Sequence, residues 1–168
     1  MYLIILGAGG HGQVVADIAR QLNQYDSIAF LDDHSDLAIG PCSDYKKYIG
    51  KDVEMYPAFG NNVSRVEWEN RLEACGIMLA TIIHPLAYVS PKAHVSAGCV
   101  CMPYSIINTG CKIEKACIIN CGAIVDHDCI LDEGCHIAPG GVVKGDNHLP
   151  KYTKVDSKEV IERGKYGE

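Results

Sequence analysis

The stretch Cys117-Ile118-Ile119-Asn120-Cys121-Gly122-Ala123-Ile124-Val125-Asp126-His127-Asp128-Cys129-Ile130-Leu131 places an aliphatic residue every six positions, at Ile119, Val125 and Leu131. Followed towards the N-terminus, the register takes in Ile113, Ile107, Cys101, Val95, Val89 and Ile83. Towards the C-terminus it takes in Ile137, Val143, Leu149, Val155 and Ile161. All fourteen positions are apolar, and at 48% apolar composition chance would do this about 3 times in 100,000. A second series holds small residues four positions after each aliphatic one: Ala87, Ala93, Cys99, Ser105, Cys111, Cys117, Ala123, Cys129, Cys135 and Gly141. That series ends at Asn147.

A period of six suits neither a helix nor a plain strand, but it suits a solenoid of short strands joined by tight corners. Alternate residues of an extended chain share a face, so the small residue points inward with the next aliphatic one. Asn108, Asn120, Asp126 and Asp132 follow aliphatic positions, and Gly98, Gly110, Gly122 and Gly134 recur every twelve residues. Both residue types tolerate the backbone angles of tight turns. Three hexads make a triangular coil of about 18 residues, and coils stack at about 4.8 Å. The competing reading is an all-β sandwich with accidental spacing.

Six of the nine cysteines fall into this pattern. Five (Cys99, Cys111, Cys117, Cys129, Cys135) take the small inward position and Cys101 an aliphatic one. They act as small hydrophobes. An odd count and the absence of a CxxC pair argue against a disulfide framework and a structural zinc site. Cys121, beside Asn120, is the one cysteine worth testing for function; Cys42 and Cys75 carry no motif.

Residues 1–82 read as a separate α/β unit. Tyr2–Leu6 is an apolar strand, followed by Gly7-Ala8-Gly9-Gly10-His11-Gly12 and then Val14, Val15, Ile18, Ala19 and Leu22 at helical spacing. A second strand, Ser27–Leu31, ends in Asp32-Asp33. This is a GxGxxG turn with an acid about 20 residues on. Its glycines let backbone N–H groups approach a phosphate, and the acids suit a ribose or a base. The alternatives are a tight turn that binds nothing and a dinucleotide site. About 80 residues leave room for one mononucleotide half only. Residues 34–52 read as loop with a short helix. Val53–Phe59 reads as a third strand, Asn61 or Asn62 as the cap of a helix through Ala74, and Ile77–Ile83 as a fourth strand.

The formal charge of -6 argues against a nucleic-acid partner. No apolar run reaches membrane-spanning length. The start reads as a buried strand and not as a secretory signal, which makes the expected location cytoplasmic.

Gly7–Gly12, Phe30-Leu31-Asp32-Asp33, Phe59-Gly60-Asn61-Asn62, then hexads containing Asn120 and Val125-Asp126-His127-Asp128 form a distinctive order. In that order the chain resembles the PglD/NeuD-type sugar acetyltransferases of the hexapeptide-repeat superfamily. The resemblance covers nearly the whole chain to Val143. It implies a Rossmann-like half-unit (1–82) that binds a nucleotide-sugar, followed by a left-handed parallel β-helix (83–168) that carries the acyltransferase. It further implies acetyl-CoA as cosubstrate, a homotrimer with its active site between adjacent β-helices, and N-acetylation of a UDP-4-amino-4,6-dideoxy sugar for bacterial surface glycans. Carried over residue by residue, His127 becomes the general base with Asp128 as its acidic neighbour. His136 and Asn120 fall at acetyl-CoA, and Gly9, Gly10, His11, Asp32, Asp33 and Gly60 at the nucleotide-sugar.

The residues themselves are compatible with these roles. A neutral imidazole suits removal of a proton from an attacking amine near pH 7. His127 and His136 are nine residues apart, half a coil, so joining them at one substrate needs a second subunit. By alternation with Cys129, His127 points inward or lies at a corner. His84 reads as structural beside Pro85, and His94 and His148 have no motif support.

One departure stands out. The family continues its coils past the catalytic segment, whereas here Gly140-Gly141-Val142-Val143 passes to Lys144–Pro150 and the small-residue series stops. The expectation is a shortened solenoid of about four coils closed by the tail, whose six basic residues, Lys144, Lys151, Lys154, Lys158, Arg163 and Lys165, read as a solvated cap, the alternative being a grip on CoA phosphates. Alternative functions are O-acetylation, a nicotinamide-dependent enzyme, a catalytically weak nucleotide-binding scaffold trimer, and a zinc enzyme of the γ-carbonic-anhydrase type. The last needs three histidines converging on one metal, which the spacing of His94, His127 and His136 does not suggest.

Overall fold

A computed structural model describes residues 1–167. The chain divides into two compact units, Met1–Ile82 and one beginning at Ile83.

The first unit holds four parallel strands: β1 (Tyr2–Leu6), β2 (Ser27–Leu31), β3 (Val53–Pro57) and β4 (Met78–Leu79), in the order β2-β1-β3-β4. Central β1 buries Leu3, Ile4, Ile5 and Leu6, both faces of the strand being covered. Such continuous apolar runs are what parallel sheets require. Helix α1 (Gly10–Leu22) follows β1, a 3-10 helix spans Cys42–Tyr48, and α2 (Asn62–Ala74) follows β3. Asn61 caps α2, its side-chain oxygen accepting from the Ser64 N–H at 2.9 Å. A Cβ on Gly12 would lie 2.0 Å from the Gly7 carbonyl oxygen. Only glycine lets α1 start this close to the end of β1.

Two strand expectations are corrected. The third strand stops at Pro57, two residues early, after which the Ala58 N–H closes on the Leu6 carbonyl and the chain turns. The expected fourth strand is two strands. Met78–Leu79 belongs to the first sheet, whereas Ile82–Ile83 already follows the six-residue register.

From Ile82–Ile83 to Val160–Ile161 the described residues hold fourteen two-residue strands, one every six residues. Each pairs in parallel with its counterpart one coil away, as Ile118 with His136 and Ile124 with Val142. Three faces result, represented by Ile118–Ile119, Ile124–Val125 and Ile130–Leu131. The arrangement is a left-handed parallel β-helix. The aliphatic positions from Cys101 to Ile161 are all buried at 0 or 1% exposure, and each Ile or Leu so removed from water contributes about 1.5–3 kcal/mol.

A positive φ recurs every six residues from Gly98 to Gly164. Half of these corners are glycine. The others are Tyr104, Ala116, Asp128, Asp146, Tyr152 and Lys158. The inward cysteines also do more than fill space. The thiols of Cys99, Cys111, Cys117, Cys129 and Cys135 donate to the carbonyls of Glu114, Asp126, Asp132, Lys144 and Pro150, always fifteen residues on, at 3.0–3.3 Å. All nine cysteines are free thiols.

The solenoid does not stop where the small residues do. Leu149, Val155 and Ile161 are buried like their predecessors, which gives four coils and two sides of a fifth. Asn147 takes the inward slot. Its amide donates to Glu162 O, again fifteen residues on, at 3.0 Å and to Lys144 O at 2.7 Å. Its oxygen accepts from the Tyr166 N–H at 3.0 Å. A buried amide with its bonds satisfied replaces the thiol.

Candidate functional site

His127 and Asp128 form a corner between two faces of the β-helix. The choice left open by alternation is thus decided: the imidazole is at the corner and not inside. Its Nδ1 lies 2.9 Å from Asp128 Oδ2, and the two side chains are 40% and 59% exposed. The hydrogen bond to Asp128 is the main cause of a raised His127 pKa, with the charges of Asp126, Asp146 and Asp128 adding to it. Asp126 is itself held below the usual carboxylate range by the backbone N–H of His127 first, then by the Asn108 amide at 3.0 Å and the Gly145 N–H. Asp128 has φ +56°, a region that costs most side chains about 1–2 kcal/mol and that Asp tolerates better than most.

Asp146 was not singled out by the motif, although it occupies the same corner as Asp128 one coil further on. Counting by coils is the signal that finds it. Its carboxylate is paired with Arg163. His127, Asp128 and Asp146 offer ligand atoms within 4.8 Å of one another. Asp146, engaged by Arg163, acts on His127 through charge, behind the larger effect of the Asp128 hydrogen bond.

His136 begins a strand on a different face. Asn120 Oδ1 accepts the Cys121 N–H at 2.8 Å, which turns the amide nitrogen towards His136 Nε2 at 3.1 Å. Nε2 therefore accepts, and the neutral ring carries its proton on Nδ1. Asn120 and His136 are brought together; His127 and His136 lie on separate parts of the coil in one chain. Cys121 is exposed beside this pair, its thiol 4.0 Å from Met102 Sδ. His84 is buried, with Nδ1 accepting the Leu86 N–H at 3.0 Å.

In the first unit, Gly9 and Gly10 open α1. Both are exposed, a Cβ on either would meet nothing within 4 Å, and neither has a positive φ. Packing does not require glycine there; Gly60 is equally open. The acids are already engaged. Asp32 accepts from the N–H groups of Ala8 (2.8 Å), His34 (2.8 Å) and Ser35 (3.1 Å), and these bonds, Ala8's first, lower its pKa. Asp33 accepts from the Cys42 N–H at 3.0 Å. Asp32 thus ties the glycine turn to the end of β2. His11 is half-buried against Tyr56, Nε2 to Oη 3.4 Å. Burial first, and the buried Arg65 second, lower its pKa to about 4.

Residues 2–72 match the PglD N-terminal domain family. The whole chain is similar to the acetyltransferase domain of PglB from Neisseria gonorrhoeae, with 32% identity and a TM-score of 0.94, covering 96% of this chain and 82% of that one. The chain belongs to the PglD-type hexapeptide-repeat acetyltransferases. The same Neisseria domain in complex with acetyl coenzyme A matches this family member with a TM-score of 0.92. A mutant of perosamine N-acetyltransferase from Caulobacter crescentus, in complex with CoA and GDP-perosamine, shares the fold at 24% identity and a TM-score of 0.76, covering 95% of this chain and 90% of that one. No helix among the described residues is long and apolar enough to cross a membrane.

Proposed function

We propose that this protein transfers the acetyl group of acetyl-CoA to the amine of a nucleotide-linked amino sugar, with His127 as general base. The substrate class we favour is a UDP-4-amino-4,6-dideoxy sugar destined for a surface glycan, the work being done in the cytoplasm. The observation that carries the reading is the His127–Asp128 hydrogen bond at a solvent-open corner. The amine lone pair attacks the thioester carbonyl carbon, and His127 Nε2 takes the amine proton as the C–N bond forms. The C–S bond then breaks, and the imidazolium returns the proton to the departing CoA thiolate. Asp128 holds Nδ1–H, fixes the tautomer and stabilises the imidazolium. No acyl-enzyme is needed.

The first unit supplies the nucleotide-sugar contacts at Gly9, Gly10, His11, Asp32, Asp33 and Gly60, and Asn120 with His136 meets acetyl-CoA. Glycines that packing does not demand support close approach of a ligand at α1. Since His127 and His136 occupy separate parts of one coil, a neighbouring copy supplies the second histidine in a homotrimer. An apolar outward ladder favours such association: Tyr88, Ile106, Ile124, Val142 and Val160 lie in register on one face, with Tyr88 54% and Val160 44% exposed.

The deciding assay is CoA release from acetyl-CoA with a panel of UDP- and GDP-linked amino sugars. His127→Ala should lower kcat by about 10²–10⁴-fold and leave nucleotide-sugar affinity unchanged. Near-normal turnover of that variant would rule out the assignment.

A further inference from the structure

The His127–Asp128 pair has a glycine stacked on each side along the solenoid axis. Gly145 stands one coil after His127, and Gly110 stands one coil before Asp128. A Cβ on Gly145 would lie 2.8 Å from His127 Cε1, 2.8 Å from Nε2 and 3.2 Å from Nδ1. Near-equal distances to three ring atoms mean that the imidazole lies with its face across the bare α-carbon. A Cβ on Gly110 would lie 2.1 Å from Asp128 Oδ1 and 3.1 Å from its carboxyl carbon.

The two glycines have different reasons to be there. Gly110 has φ +75° and takes its turn in the alternating glycine corners. Gly145 has no positive φ and sits one residue before a corner occupied by Asp146. Backbone conformation therefore does not ask for glycine at 145; the ring resting on it does. At the equivalent turn position one coil earlier stands His127 itself, so the position accepts a full side chain.

Resting on the general-base reading of His127, we infer that Gly145 is a positioning residue, whose lack of a side chain seats the imidazole flat at the corner and in line with Asp128, and that Gly110 does the same for the Asp128 carboxylate. A methyl at 145 displaces the ring by about 1 Å, the extra separation needed for ordinary contact, and swings Nδ1 away from Oδ2. A misplacement of that size costs about 100-fold in rate.

The test is Gly145→Ala in the full chain, followed in three ways. The His127 ring is 40% exposed and can turn into solvent, so the variant should fold with an unchanged Tm. The expected kinetic result is a kcat lowered about 100-fold with the KM for both substrates within about 2-fold. The decisive readout is an NMR titration of the His127 imidazole, which does not depend on turnover. Its midpoint should fall towards that of an ordinary histidine as the Asp128 bond is lost. An unchanged midpoint overturns the inference, whatever happens to kcat. If His127→Ala is active, the catalytic reading fails, but the titration still reports whether Gly145 seats the ring. Gly110→Ala is the second variant: it should lower the same midpoint by displacing the carboxylate, and an unchanged midpoint there removes Gly110 from the role.

Discussion

His11 makes the first unit sensitive to acid, by an amount the structure allows to be worked out. Burial and the Arg65 charge take its pKa from 6.5 to about 4. A base with a lowered folded-state pKa resists protonation in the native state, while the unfolded chain accepts the proton. Between the two values the unfolded state binds more protons, so stability rises with pH and is lost as pH falls from about 6.5 towards about 4. At pH 7.5 the contribution is near zero. At pH 5.0 it costs the fold about 2 kcal/mol, and below pH 4 it reaches its limit of about 3.4 kcal/mol. Other groups titrate in this range, so the measurement is a difference between wild type and His11→Gln. Urea unfolding is followed by Trp68 fluorescence. Trp68 is the sole tryptophan and packs between Tyr45 and Phe59 inside the first unit. From pH 7.5 to 5.0 the wild type should lose about 2 kcal/mol more than the variant. Parallel pH dependences in the two proteins would refute the reasoning.

Three further outcomes are expected. Asp128→Asn removes the main cause of the raised His127 pKa, so the rising limb of the kcat–pH profile, which reports the deprotonated base, should move to lower pH; a limb that stays in place argues against the pair acting as a unit. Asn147→Ala leaves the Glu162 carbonyl and the Tyr166 N–H without the amide they bond, a loss of about 1–3 kcal/mol, read as faster hydrogen exchange at Tyr166 and a lower Tm. Gly12→Ala sets a methyl 2.0 Å from the Gly7 carbonyl and should destabilise the first unit by about 1–3 kcal/mol, with Trp68 fluorescence reporting the loss.

The solenoid was legible because one physical demand repeats. Every sixth side chain enters the same dry interior, so composition at that position is restricted and the period survives in a single sequence. The corners were half legible. Glycines at every twelfth residue announced themselves, while Tyr104, Ala116 and Tyr152 adopt the same left-handed φ without a residue type that signals it. The last coils were harder to read, because the small-residue series stops at Asn147 although the apolar register runs on to Ile161. The inward slot needs a side chain that fits and satisfies the carbonyl fifteen residues on; a thiol does so, and so does the amide of Asn147. In the first unit the spacing of the acids at 32 and 33 did not reveal that they also hold the backbone. Their bonds to Ala8 and Cys42 are made by backbone groups, which carry no sequence signal at all.

The same stacking that hides contacts from the linear sequence also explains why the base belongs at a corner. On a flat face, a residue's axial neighbours are outward side chains of adjacent strands, as Ile118 and Lys154 are to His136. At a corner the neighbours are turn residues, where glycine is already common. His127 therefore has a bare α-carbon above it and an acid beside it that the turn conformation can accept. Three carboxylates at 126, 128 and 146 raise its affinity for a proton, which strengthens the base but reduces the fraction free to act at neutral pH. Arg163 on Asp146 moderates that field, whereas the backbone bonds to Asp126 keep its charge in place. Neutralising Arg163 as Arg163→Gln should then move the His127 midpoint upward, in the opposite direction to Asp128→Asn. Shifts of the same sign in the two variants would mean that geometry, and not charge, sets the proton affinity of this corner.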